Sequence, residues 1–398
     1  MQASNHSALS GPSLPKPGSI KLTGTFRIGR IVGIDVSLHW SWAFIFVLVT
    51  WTFAEGILDT TFPGWSIAQR SIVGAAIALI FFSSILVHEL SHSVVARRFG
   101  IPVSSITLFV FGGVSNLGKE PENARQEFWI AIVGPLTSFA MAALFGAGYL
   151  ILDGIESGVA DISANLAFIN TAIGVFNLVP GFPLDGGRVL RSVFWARDRN
   201  ILDATRLASR VGVYVAYTMM AIGFLTFFFV NPVSGIWLFL IGNFLRGVSA
   251  ASYEQLFVEK TLKGIPAALV AKQDYTPVSR DLSVEDLVEH HFLAGHGHCL
   301  PVMAGEELLG LVTLTDVRKV PRDDWATIRA HRVMTPLADL KTVGLNDDLA
   351  KVLALLAADS LNQIPVVEGR LLRGVIKRSD VIAYIQMRQA IDAGKSAS

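Results

Sequence analysis

Five stretches of this 398-residue chain contain no Asp, Glu, Lys or Arg: Val36–Ala54, Ser71–Val87, Phe128–Leu152, Ile162–Leu184 and Val211–Leu245. A helix of about 20 apolar residues crosses the ~30 Å hydrocarbon core of a bilayer. Inside that core each backbone polar group needs a partner within the protein, so helices are the economical solution. The last stretch is 35 residues long and contains Asn231-Pro232. At ~1.5 Å per residue one helix of that length overshoots the membrane, and proline ends helices. Two spans meeting at a tight turn are therefore predicted there, giving six. A 52% hydrophobic share with only 16% charged residues fits a polytopic membrane protein and excludes an ordinary soluble one. The net charge of +1 offers no basic excess, and no nucleic-acid partner is expected.

Basic residues orient such spans. Lys16, Lys21, Arg27 and Arg30 precede the first; Arg97, Arg98, Lys119 and Arg125 lie between the second and third; Arg188, Arg191, Arg197, Arg199, Arg206 and Arg210 follow the fourth. The intervening loops carry Glu55, Asp59 and Arg70, then Asp153, Glu156 and Asp161. All three basic groups fall on one side, so a cell-membrane protein with both termini cytosolic is expected. Residues 1 to 24 are rich in Ser, Pro and Gly without an apolar core, and a flexible cytosolic leader is expected up to residue 30. The single cysteine, Cys299, excludes an internal disulfide and suits a reducing cytosol.

The second span ends in His88-Glu89-Leu90-Ser91-His92. Two histidines four apart on a helix face the same way and can share one zinc ion, while the glutamate between them can act as general base toward water. A catalytic zinc takes three protein ligands and leaves one position open. The membrane part holds one other histidine, His39, and few carboxylates at the same depth. Asp185, in Asn177-Leu-Val-Pro180-Gly-Phe-Pro183-Leu184-Asp185-Gly186-Gly187, is the best third candidate. Pro180, Pro183 and the Gly pair should break the fourth span there, and irregular backbone at membrane depth lines a cavity or is buried in protein.

Together His88-Glu89-xx-His92, Phe111-Gly112-Gly113 and Asn177…Pro180…Pro183-Leu184-Asp185-Gly186 resemble the site-2 protease family of intramembrane zinc metalloproteases, over roughly residues 30 to 250. The resemblance implies one zinc per chain on His88, His92 and Asp185, Glu89 as general base, and Asn177 as a hydrogen-bond donor to the substrate carbonyl or oxyanion. The bland alternatives are interfacial histidines, a helix-capping Asp185 and an Asn177 that ties helices together. His39 resembles a histidine of the family's regulatory-domain branch and is read as a packing residue. Ser105–Phe111 and Gly113–Leu117 should form a short membrane-associated β-hairpin, either as a clamp that pairs with unwound substrate or as a structural re-entrant loop.

Past residue 255 the chain repeats itself. His298-Cys-Leu-Pro301-Val302 matches Asn362-Gln-Ile-Pro365-Val366, and Gly310-Leu-Val-Thr313-Leu-Thr-Asp316 matches Gly374-Val-Ile-Lys377-Arg-Ser-Asp380, each at an offset of 64. The repeat looks like a tandem pair of cystathionine-β-synthase-type (CBS) regulatory domains, each a βαββα unit. That resemblance implies a homodimer through the pair and an adenine nucleotide in its cleft, with Asp316 on the ribose hydroxyls and Thr313 three positions earlier. The second copy departs, since Lys377 replaces the hydroxyl residue before Asp380. A packing module without ligand is the alternative. His290, His291, His296 and His298 are read as surface and loop residues.

The expected organisation is a six-span metalloprotease domain over residues 31–252, a linker over 253–264, CBS domains over 265–325 and 326–390, and a tail over 391–398. The expected function is a zinc metalloendopeptidase that cuts a membrane-anchored protein near the cytosolic face under CBS control. The competing reading is a CBS-regulated membrane channel or transporter.

Overall fold

The computed structural model describes residues 24–295, 297–358 and 361–395. The chain divides into two compact units, the first ending at Leu256 and the second starting at Phe257.

The first unit opens with a hairpin of β1 (Thr25–Ile31) and β2 (Ile34–His39). Residues 1 to 23 of the expected leader, with Lys16 and Lys21, lie outside the described residues, while the leader's end is strand. A helical segment follows as α1 (Ser41–Thr52), a π-helical turn over Phe53–Ile57, and α2 (Leu58–Thr61). Next comes α3 (Ile67–Arg98), whose start is fixed by a capping box between Ser66 and Gln69. The expected hairpin is present as β3 (Val103–Phe109) and β4 (Gly112–Leu117), but it belongs to a larger sheet in the order β1-β2-β3-β4, with β2 and β3 parallel. The helices α4 (Ala124–Leu152), α5 (Ser157–Asn177), α6 (Asp185–Asp198), α7 (Ile201–Phe229) and α8 (Pro232–Leu262) complete the unit. Among the described residues six helical segments are long and apolar enough to cross a membrane: Ser41–Thr61, Ile67–Arg98, Ala124–Leu152, Ser157–Asn177, Ile201–Phe229 and Pro232–Leu262. The predicted break at Asn231-Pro232 thus separates the fifth from the sixth.

Among the boundaries that differ from those predicted, two concern the first and fourth spans. Residues 36–39, placed in the first span, form the end of β2 instead. The fourth span ends at Asn177, seven residues before Leu184, and the Gly186-Gly187 pair lies within the first turn of α6 instead of breaking a helix. A Cβ on Gly186 would strike the Leu178 carbonyl, so the pair lets α6 press against the preceding loop. That loop is held from two other helices: Phe182 N donates to Ala208 O at 3.3 Å, and Ser249 Oγ donates to Phe182 O.

Large apolar side chains point outward from the helices, with Phe224 58%, Phe228 62% and Leu144 62% exposed. Small residues such as Ala131, Gly134, Ser138, Ala208 and Ala216 are buried between them. Bilayer-facing bundles show this inversion, because lipid tails are as apolar as leucine and close approach of backbones drives the packing. Beneath the sheet, Ile34, Ile106 and Leu108 pack with Ala96 of α3 and Ile130 of α4.

The second unit is an α/β pair on one sheet, ordered β5-β6-β7-β10-β9 with β8 paired to β7. Its strands are β5 (Val278–Ser279), β6 (Cys299–Ala304), β7 (Glu307–Thr313), β8 (Thr335–Pro336), β9 (Gln363–Glu368) and β10 (Leu371–Lys377). Short helices α9 (Val284–Asp286), α10 (Leu314–Val317) and α11 (Ala330–Val333), then α12 (Leu349–Ala358) and α13 (Arg378–Lys395), cover it. The offset of 64 carries β6 onto β9 and β7 onto β10, residue for residue. The segment expected as a linker is helical as far as Leu262, which is fully buried in the core of this unit.

Candidate active site

His88 and His92 lie one turn apart on α3 and are both buried, at 4% and 5% exposure. Their Nε2 atoms are 3.2 Å from each other. Asp185, the first residue of α6, brings Oδ2 to 3.2 Å from His88 Nε2 and 3.1 Å from His92 Nε2. These are the metal-ligating side chains that cluster among the described residues, and His39 is not with them. It lies at the end of β2, with Nδ1 2.7 Å from Ser41 Oγ.

The outer ring nitrogens set the protonation of the inner ones. His92 Nδ1 is 2.5 Å from the carbonyl of Ile130, which only accepts, so Nδ1 carries the hydrogen and a neutral ring turns a lone pair inward. His88 Nδ1 meets Ser138 Oγ at 2.8 Å. With both neutral rings in this tautomer, two lone pairs and a carboxylate oxygen face one another with no donor between them. Such a trio is satisfied by a proton or a metal cation shared among its acceptors. The edges of a tetrahedron with zinc–ligand bonds of ~2.0–2.1 Å are about 3.3–3.4 Å, and the observed edges come within ~0.3 Å of this. The residues therefore fit zinc.

Gly134, on α4, faces this trio. A Cβ there would collide with Nε2 of both His92 and His88. The absence of a side chain at Gly134 keeps the ligand atoms uncovered.

Glu89 is half-buried beneath β4. Its Oε2 accepts from Ser115 Oγ at 3.1 Å, and Ser93 Oγ donates to Ser115 Oγ at 3.2 Å. Gly113 lies so close that a Cβ would strike the Glu89 side chain. β4 is an edge of the sheet, so one of its sides has no strand partner.

Asn177 ends α5. One amide hydrogen goes to Ile173 O at 3.1 Å, and no hydrogen bond joins Asn177 to His88, Glu89, His92 or Asp185.

Asp185 is positioned by a buried ion pair that charge counting alone did not reveal. Arg191, counted in sequence only as a topological charge, donates Nε to both oxygens of Glu127 at 2.8 and 2.9 Å, with Nη2 on the same carboxylate. Glu127 is fully buried at the start of α4, and Arg188 Nε is 3.7 Å from it. The Arg191 guanidinium also lies 5.0 Å over the Phe182 ring. α6 is thereby clamped to α4, the helix that supplies Ser138 and the Ile130 carbonyl.

A family model described as "Peptidase family M50" matches residues 76–155 and 152–223. Two relatives share the name "Putative zinc metalloprotease". Rip3 of Mycobacterium tuberculosis is 34% identical over 365 residues, covering 90% of this chain and 92% of its own. The other, sll0528 of Synechocystis sp., is 32% identical over 383 residues, covering 94% of this chain and all of its own. The chain belongs to peptidase family M50. This M50 peptidase is a multi-pass membrane metalloprotease, and a "CBS domain" model matching residues 269–323 and 330–387 shows its tandem CBS pair. The solved "Site-2 Protease from Methanocaldococcus jannaschii" is 28% identical, covering 57% of this chain and 95% of its own with a TM-score of 0.41.

In the CBS pair the two repeat carboxylates are held differently. Thr313 N and Oγ1 donate to Asp316 Oδ2 at 3.1 and 2.6 Å, capping α10, and Lys319 Nζ is 2.9 Å from Oδ1. Burial pushes the Asp316 carboxyl up, but these donors outweigh it and hold the group below the ordinary carboxylate range. Asp380 accepts from Lys377 N at 3.1 Å and pairs with Lys272 Nζ at 2.6 Å. His296 lies outside the described residues. Burial pushes the Cys299 thiol up to about 12.

Proposed function

We propose that this M50 peptidase is an intramembrane endopeptidase that hydrolyses a membrane-anchored protein near the cytosolic face. The observation that carries the reading is the convergence of three buried acceptors at 3.1–3.2 Å beside the Glu89 carboxylate, on helices long enough to span a bilayer. His88, His92 and Asp185 would hold zinc, which supplies a Lewis acid for the scissile carbonyl and makes water more acidic.

The remaining chemistry falls to the chain's own groups. Glu89 takes a proton from the attacking water and delivers it to the leaving amine. Ser115 occupies Oε2 and leaves Oε1 for that exchange. Ser138 and the Ile130 carbonyl keep both imidazoles turned inward. Asn177 retains a second amide hydrogen for the substrate carbonyl. A transmembrane helix hides its peptide bonds, so substrate must unwind before it is cut; the open edge of β4 offers backbone partners to the unwound segment. The basic groups on the side of Arg97, Arg98 and Arg188 support a cytosolic placement of the site and of both termini. The CBS pair would tune the reaction as a homodimer with an adenine nucleotide on Thr313 and Asp316, provided the nucleotide binds one conformational state better than another.

The decisive experiment is Glu89→Gln in the purified, zinc-loaded chain with a membrane-anchored substrate in micelles or vesicles. The variant should keep its zinc and lose turnover by about 10²–10⁴-fold. Near-normal cleavage by it would overturn this mechanism.

A further inference from the structure

α3 and α4 run side by side, and a groove of about 310 Å³ opens between the end of one and the start of the other. On α4 it is lined by Arg125, Trp129, Val133 and Leu136, a single stripe at helical spacing. On α3 it is lined by Val95, Arg98 and Phe99. The two arginines share one end, because Arg98 closes α3 and Arg125 is the second residue of α4. From Arg125 the apolar stripe descends about 16 Å to Leu136 at ~1.5 Å per residue.

Three features of this groove need explaining together. Arg98 and Arg125 are exposed and form no ion pair or hydrogen bond with any described residue. Trp129, 47% exposed, stands one turn beyond Arg125 on the same stripe, and indole rings are enriched at membrane interfaces. Leu136, 53% exposed, continues the stripe toward the bilayer interior. Unpaired cations at the boundary of two spans, followed by a tryptophan and then aliphatic side chains, match the order of groups along an anionic phospholipid: phosphate, glycerol ester, acyl chain. A zwitterionic lipid offers the same phosphate without net negative charge, so two unpaired cations favour the anionic lipid.

We propose that this groove is a binding site for one anionic glycerophospholipid, its phosphate between Arg98 and Arg125 and one acyl chain along Trp129, Val133 and Leu136. The site backs onto the metal-binding shell. Val95 lies one turn beyond His92, and Trp129 precedes Ile130, whose carbonyl accepts from His92. A bound lipid would therefore brace the seam between α3 and α4 that orients this imidazole.

The test is native mass spectrometry of the full-length, zinc-containing chain in detergent. The probes are phosphatidylglycerol, phosphatidylcholine with the same acyl chains, and inorganic phosphate. The wild type should retain one phosphatidylglycerol in preference to phosphatidylcholine. Arg98→Gln with Arg125→Gln should weaken that retention by about tenfold or more, and each single change by less. Arg197→Gln with Arg199→Gln, which removes two charges on the same side but away from the groove, should leave it unchanged. Zinc content measured on every sample reports folding independently of lipid. Equal retention of the two lipids, displacement of phosphatidylglycerol by inorganic phosphate alone, or equal losses in the two double variants would each overturn the proposal. Near-normal cleavage by Glu89→Gln, which would overturn the proposed mechanism, would leave the lipid site standing, since lipid retention is read without turnover.

Discussion

Gly134 sets the tightest steric condition at the active site. No side chain fits at this position on α4 without meeting both imidazole Nε2 atoms. Gly134→Ala should fold, since alanine is a better helix former than glycine. It should nevertheless retain less than about a tenth of wild-type zinc under stoichiometric loading; metal analysis of the purified variant decides this, and full occupancy would show that α4 can recede. This residue also marks how far the sequence could be read. The His88-Glu89-xx-His92 spacing places its groups on one helix turn, and an aspartate in irregular backbone at membrane depth has few roles, so four members of the site were legible from local pattern. Gly134, Ser138 and the Ile130 carbonyl were not, because they meet the histidines only through the register of α3 against α4.

At the scale of elements, the four-stranded sheet is the largest addition to what the sequence predicts. β3 and β4 were legible from β-branched residues around Phe111-Gly112-Gly113. β2 was not, because Val36 and Leu38 also suit the start of an apolar helix and a short run does not separate the two readings. β1 lies beside a Ser-, Pro- and Gly-rich stretch and is exposed along its whole length, so neither composition nor burial marked it. The clamp between α4 and α6 was hidden for a different reason: charge patterning counts Arg191 but does not name its partner 64 residues earlier. Breaking a buried pair leaves an uncompensated charge and costs about 3–5 kcal/mol. Glu127→Gln should therefore lower thermal stability strongly and release zinc more readily, since α6 carries Asp185. Thermal melts with zinc released to a chromophoric chelator would check this; an unchanged melting temperature would remove Glu127 from the scaffold of the site.

For the whole molecule, orientation and ligand response are the open quantities. The Cys299 thiol is half-buried and stays protonated at neutral pH, so it contributes little background to thiol labelling. An impermeant maleimide added outside intact cells should modify Ser157→Cys and spare Arg197→Cys; the opposite pattern would invert the topology. Calorimetry on the full chain with ATP, ADP and AMP addresses the CBS pair. Binding lost in Asp316→Ala but kept in Asp380→Ala is expected, because Lys377 stands in the second copy where Thr313 supplies a hydroxyl in the first. No heat with any of the three would leave the pair as an assembly element.

The two CBS copies do not stand as separate beads. β8 of the second pairs with β7 of the first, β7 also pairs with β10, and Leu308 N donates to Arg370 O at 2.8 Å. At their junction Leu308 and Leu311 pack with Leu372 and Val375, the same two positions of each repeat. A duplicated segment has thus become indivisible: cutting the chain between the repeats would leave each half with a raw edge and half a core. Under the regulation proposed above, a ligand held by one copy would therefore act on the shared sheet and core of both.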